Sequence, residues 1–99
     1  MQKGGAVYIL TNKNHTTLYV GVTNDLQRRL YEHQNGINPN SFVAKYSLTK
    51  LIYFEGFHSI GEAIMREKQL KGWTRKKKDY LINSNNENWK NLTEEVMNW

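Results

Sequence analysis

A chain of 99 residues, 38% of them hydrophobic, has material for one small domain with a thin core that its 6 Tyr and 3 Trp must help to fill. With no cysteine there are no disulfides and no thiolate zinc sites, which agrees with a reducing compartment. The opening MQKGGAVYIL contains no long apolar run, so neither a signal peptide nor a membrane span is expected, and a cytoplasmic location is. The net charge of +5 is unevenly spread: Lys90 against Glu87, Glu94 and Glu95 leaves residues 82–99 at −2 and the first 81 at +7. A body this basic suggests a polyanionic partner, nucleic acid first, with plain solubility as the alternative.

Residues 6–11 (AVYILT) are β-branched and aromatic and predict a strand. NKNH at 12–15 is turn chemistry, and 16–22 (TTLYVGV) predict the return strand of a hairpin. Alternation puts Ala6, Tyr8 and Leu10 on one face and Val7 and Ile9 on the other; Thr17, Tyr19 and Gly21 share a face of the second strand. Asn24, with Gln27 three positions on, predicts a capped helix start, with Leu26, Leu30 and His33 as inner stripe and Arg29 at its edge. Asn35-Gly36 ends that helix. Residues 37–48, with Pro39, Phe42, Lys45 and Tyr46, read as a loop, and 49–57 as a third strand. Ser59 and Glu62 form a capping box for a helix whose inward stripe is Ile60, Ala63, Ile64, Glu67 and Leu70, ended by Gly72. Thr74 caps RKKKDYLI, residues 83–91 read as an Asn-rich loop, and Leu92 to Trp99 as a short terminal helix. No repeat or linker divides the chain, so residues 1–99 are expected to form one domain.

Glu67 is the sharpest chemical signal. A carboxylate on a buried stripe must be paired, hydrogen-bonded or metal-bound. Two readings are open: an ion pair with Arg29 or Lys45, or the one protein ligand of a hard cation such as magnesium, which keeps waters and takes one or two carboxylates plus phosphate. Tyr8 and Tyr19, taken singly, are packing residues. On one face beside Arg29 they become candidates for proton transfer, with Arg29 to hold a phosphate. Gly21 leaves room for a close approach. His33 is either a satisfied core histidine or an acid–base partner. Lys71, Arg75, Lys76, Lys77 and Lys78 place five cations in eight positions around Trp73, and Lys45 adjoins Tyr46. Basic residues interleaved with aromatics suit single-stranded or distorted nucleic acid, the alternative being a solvated helix face. No recognition-helix or zinc-finger pattern offers base-specific reading.

AVY at 6–8, YVG at 19–21, Arg29, His33 and Glu67, with YVGVTNDLQRRLYEH, SFVAKY, EAIMREKQLKGW and NWKNL, resemble the GIY-YIG nuclease superfamily, most of all its small stand-alone bacterial members. The resemblance spans about residues 5 to 92, with Ala6 and Val7 in place of the motif's Gly and Ile and Val20 in place of its second Ile. It implies an α+β fold, a small three-stranded antiparallel sheet flanked by helices. It also implies a metal-dependent phosphodiesterase cutting structured or distorted DNA, in repair or recombination, with magnesium, or manganese in its place, as cofactor. Tyr8 and Tyr19 correspond to the motif tyrosines, Arg29 to the active-site arginine, His33 to a histidine present in part of the superfamily and Glu67 to the metal-binding glutamate. Asn86 aligns loosely with a late asparagine. Tyr19 is the first choice for general base, Gly21 admits the phosphate, and Lys45, Lys71, Arg75 and Lys76 to Lys78 attract the backbone. A dimer or a protein partner would be needed to cut both strands. Two competing expectations are a nucleic-acid-binding module without catalysis and a protein-interaction domain using Trp89 and Trp99.

Overall fold

The structure is a computed structural model that describes residues 4–37 and 41–99. β1 (Gly5–Thr11) is the central strand of a three-stranded sheet and runs antiparallel to both β2 (Leu18–Thr23) and β3 (Lys50–Phe57), in the order β2-β1-β3. Being covered on both faces and both edges, β1 is buried along its whole length, which is why its sequence is almost uninterruptedly apolar. The alternation divides two cores. Ala6, Tyr8 and Leu10 pack with Leu26 and Leu30 of α1 (Leu26–Gln34), with Val43 and Leu48, and with Val96 of α5 (Thr93–Met97). Val7 and Ile9 pack with Val20, with Ala63 and Leu70 of α3 (Ile60–Lys71) and with Ile82 of α4 (Arg75–Asn85). The expected α+β fold, a three-stranded antiparallel sheet flanked by helices, is what the chain forms. No helix among the described residues is long and apolar enough to cross a membrane.

Element ends differ from expectation where side chains compete for the backbone. β2 begins at Leu18 rather than Thr16, because the Asn12 carboxamide accepts from the Thr16 and Thr17 amides and holds the turn closed; His15 takes a positive φ of 58° within it. The cap of α1 is Asp25, not Asn24: Asp25 is extended and its carboxylate accepts from the Arg28 amide at 3.1 Å. Gln27 is not part of a capping box and donates instead to the Val96 carbonyl. The segment read as loop over 37–48 contains a further short helix, α2 (Phe42–Lys45), capped by the Ser41 hydroxyl on the Ala44 amide; Pro39 lies outside the described residues. The capping box of Ser59 and Glu62 starts α3 as expected. Its inward stripe is narrower, since Ile60 and Ile64 are 41% and 36% exposed. The helix meets the sheet through Ala63 and Leu70, which are fully buried, while Ile60 lies out over Gly5. Thr74 caps α4, which runs through Asn85 into the segment expected to be loop.

Candidate active site

The hairpin register sets the centre of the site. Tyr8 stands directly across the ladder from Gly21, and Tyr19 is opposite Leu10 on the same face. The Tyr8 ring fills the space that a side chain at residue 21 would take. A Cβ on Gly21 would stand 2.4 Å from Tyr8 Cζ and 2.9 Å from Tyr19 Cε2. The two phenol rings lie 6.2 Å apart between centroids. One turn apart on α1, Arg29 and His33 complete the group: Tyr8 Oη and His33 Nε2 are 3.3 Å apart, and Arg29 lies close enough to Tyr8 to favour its phenolate. Leu26 and Leu30, buried beneath, anchor the helix so that both polar residues face the hairpin.

Burial pushes the Tyr8 hydroxyl up to about 12; Tyr19 beside it adds to the rise, and Arg29 opposes it too weakly to prevent it. Tyr8, a phenol at neutral pH even at its ordinary value, is made harder still to ionise. Burial, with the nearby Arg29 charge, pulls His33 below its ordinary 6.5 and keeps it a neutral imidazole that shares a proton with Tyr8. The sign of the resulting pH dependence follows. The unfolded chain binds protons at His33 before the folded one does, so stability falls as pH drops below 6.5 and levels off once the folded histidine is charged. His15 is lowered too, by burial and by Lys50 and Arg75. Urea melts of wild type and His33→Gln on either side of that value should show a flatter pH dependence in the variant; equal slopes would assign the whole effect to His15.

Arg29 and His33 also line a concavity of about 370 Å³ shared with Glu32, Gly36, Ile37, Ser41, Val43 and Ala44. Glu32 faces Arg29 Nε at 3.5 Å and offsets part of its charge. Sequence reasoning missed the role of α2 here. Phe42 lies 6.0 Å from Tyr19 and Tyr46 lies 4.6 Å from Phe42, centroid to centroid, so the rings continue outward from the tyrosine pair. The spacing of Phe42 and Tyr46, four apart behind a capping Ser41, was the available signal.

Tyr8, Tyr19, Arg29 and His33 are thus brought together, and Glu67 makes its contact elsewhere on its own helix. It belongs to α3, which packs through Ala63 and Leu70 on the Val7 and Ile9 side of the sheet, and its side chain is only 14% exposed. Its partner is Lys71, at 2.8 Å one turn on, rather than Arg29 or Lys45. No hydrogen bond or ion pair among the described residues joins it to Tyr8, Tyr19, Arg29 or His33. No group of three or more His, Cys, Asp or Glu side chains among the described residues is arranged to hold a metal. One shielded carboxylate, with one oxygen held by lysine, fits a largely hydrated hard cation and does not fit zinc.

The basic run divides. Arg75 pairs with Asp79 at 2.8 Å, lies over Trp89 and donates to the His15 and Thr16 carbonyls, so it ties α4 to the hairpin turn. Lys76 and Lys77 are exposed, with Lys77 4.3 Å over the Trp73 ring; Lys78 is half-buried. Lys45 lies 5.6 Å over Tyr46. Asn86 is occupied as a lock: its amide donates to the Ile52 and Lys90 carbonyls and its carbonyl accepts from the Lys90 amide. Trp89 is not an open docking residue, since it stacks on His15 and donates to Asn83; Trp99 is exposed, with its ring edge on Phe54.

The profile of the GIY-YIG catalytic domain matches residues 4–88. This hairpin, with its paired tyrosines, facing glycine and helical arginine, is the part of the fold that carries the motif, and the chain belongs to the GIY-YIG catalytic domain family. Within that family it is similar to UPF0213 proteins. One from Clostridium perfringens is 39% identical over 94 residues, covering 91% of this chain and 95% of the relative. One from Bacillus pumilus is 38% identical over 86 residues, covering 83% of each. The UPF0213 protein of Bacillus halodurans, solved by solution NMR, superimposes with a TM-score of 0.58 at 29% identity, over 91% of this chain and 94% of that one.

Proposed function

We propose that this protein is a metal-assisted endonuclease that hydrolyses DNA phosphodiester bonds, in repair or recombination. The observation that carries this reading is the convergence of Tyr8, Tyr19, Arg29 and His33 on one face of the hairpin, beside a concavity into which Arg29 and His33 open. The Tyr8 phenol is fully buried and bonded to His33, which suits it to fix the His33 ring and not to take a proton from water. That leaves Tyr19, the half-exposed member of the pair, as general base. Arg29 offsets the charge that accumulates on the phosphate in the transition state, with a fork that matches two of its oxygens. Gly21 gives the Tyr8 ring the room it occupies beside Tyr19, so its lack of a side chain serves the phenols and does not leave an open approach for the phosphate. Glu67 would hold magnesium, or manganese in its place, and Lys45, Lys71 and Lys76 to Lys78 would draw the backbone in without reading sequence. When bound, such an ion supplies Lewis-acid polarisation of a phosphoryl oxygen and stabilises the leaving oxygen.

The test is cleavage of flapped, branched, single-stranded and plain duplex DNA with magnesium, manganese or chelator, with Glu67→Gln run beside the wild type. Metal-dependent cutting that disappears in Glu67→Gln is expected. Because the Glu67–Lys71 pair is helical and partly exposed, that variant should keep its melting temperature to within a few degrees. Full activity in Glu67→Gln would remove this residue from the metal site. A wild type that binds DNA and never cuts would make the fold a binding module.

A further inference from the structure

The rings that begin at Tyr8 do not stop at the catalytic pair. Tyr8, Tyr19, Phe42 and Tyr46 follow one another at centroid distances of 6.2, 6.0 and 4.6 Å, running from full burial to the surface. The outer two are 47% and 43% exposed, large apolar faces left in water beside the concavity that holds Arg29. They are held in place: Ser41 caps α2, Val43 is buried in the core beneath, and Tyr46 is followed by Ser47 at a positive φ of 55°, which turns the chain sharply after the ring. Lys45 hangs over the Tyr46 ring, so a cation borders the aromatic surface. Flat, fixed, half-open rings bordered by the Lys45 cation, beside a concavity that holds a guanidinium, match the chemistry of a nucleotide, whose base stacks while its phosphate is drawn to charge.

We propose that Phe42 and Tyr46 form a nucleobase-stacking ledge next to the scissile phosphate. The substrate must therefore present at least one base that has left its helix there, in a flap, gap, loop or single strand. This rests on the nucleic-acid partner proposed above and adds the residues that select among its forms. A base held in a duplex has both faces covered by its neighbours and offers nothing to the ledge. An unstacked base gains a ring surface, and its own phosphate is then carried towards Arg29. Stacking on aromatics is tolerant of sequence, which agrees with the lack of any base-reading element in the chain.

The test reads binding and not cutting. A short oligodeoxynucleotide carrying 2-aminopurine, single-stranded or placed in a gap, is titrated with the full chain in chelator, where fluorescence falls if the base stacks; a fully paired duplex is the comparison. Wild type should quench the unpaired probe. Phe42→Leu and Tyr46→Leu should each lose about tenfold in affinity for it together with the quench, while duplex affinity stays within about twofold. Phe42→Trp and Tyr46→Phe, which keep a ring, should retain both, and thermal melts should show all four variants folded. Leu variants that quench and bind like wild type would overturn the ledge, as would a wild type that quenches nothing. Failure to bind any oligonucleotide would also overturn it, and would leave these rings to a protein partner. A protein that stacks the probe through Phe42 and Tyr46 and cuts DNA in no metal would refute the nuclease reading alone.

Discussion

Arg29→Ala should lower the rate of DNA cleavage by roughly 10²–10³, the loss found when one preorganised charge donor is taken from an active site, while changing stability by no more than about 0.5 kcal/mol. The two effects separate because of where the side chain sits. Arg29 is half-exposed at the mouth of the concavity, and its contact with Glu32 is a solvent-screened pair one turn along the helix, worth at most a few tenths of a kcal/mol. Its proposed work is done only when a phosphate gains charge on the way to the transition state. Arg29→Lys keeps the positive charge and loses the planar fork, so it should recover a minor part of the rate. Single-turnover cleavage and thermal melts on the same preparations provide the comparison. An alanine variant as fast as wild type would remove Arg29 from the chemistry. A lysine variant as fast as wild type would reduce its role to charge alone.

The largest structural effect is expected at Gly21→Ala. Its new methyl would lie 2.4 Å from Tyr8 Cζ and 2.5 Å from Tyr8 Oη, well inside contact distance. Tyr8 has nowhere to go, since its ring is fully buried among Leu26, Leu30 and Leu10 and its hydroxyl is bonded to His33. Overpacking of this kind costs about 1–3 kcal/mol, and here it also moves the phenols on which the site depends, so activity should fall further than stability. Gly61→Ala is the control, because a methyl there meets nothing nearer than Ser59 Oγ at 3.8 Å and replaces a glycine within a helix; it should be neutral or stabilising by up to about 1 kcal/mol. Tyr8→Leu in the Gly21→Ala chain should recover part of the lost stability, the non-additivity expected of two groups contending for one space. Urea unfolding of the single and double variants measures each of these. A Gly21→Ala chain as stable as wild type would mean that the hairpin relaxes freely and that the glycine has no packing reason.

The site was legible to different depths in the sequence for physical reasons. Tyr8, Tyr19 and Gly21 could be placed on one face because a strand alternates with a period of two and a short hairpin leaves few registers. Arg29 and His33 could be placed above one another because residues four apart on a helix are neighbours. Asp25 and not Asn24 is the cap because both residue types cap well and the choice depends on which backbone turns first. α2 was hidden because four residues carry too little periodicity to stand out from a loop. Glu67 was recognised as an inward carboxylate, yet its pairing with Lys71 prevailed over the more distant Arg29 and Lys45, since a neighbour one turn away needs no tertiary contact to find it.

What the amino-acid order by itself determined is most of what depends on local period and local chemistry: the three strands to within a residue or two, the helices capped by Ser59 and Thr74, the two faces of β1 and the grouping of two phenols with an arginine and a histidine. Only the tertiary structure decided what depends on elements meeting. Burial against α1 is what raises the Tyr8 hydroxyl above its ordinary value. Arg75 is committed to the carbonyls of the hairpin turn and Asn86 to β3. The rings of α2 come to lie beside Tyr19 through contact between segments more than twenty residues apart in the chain. Neither periodicity nor capping carries information about such meetings, because each depends on the packing of surfaces that are separate until the chain has folded.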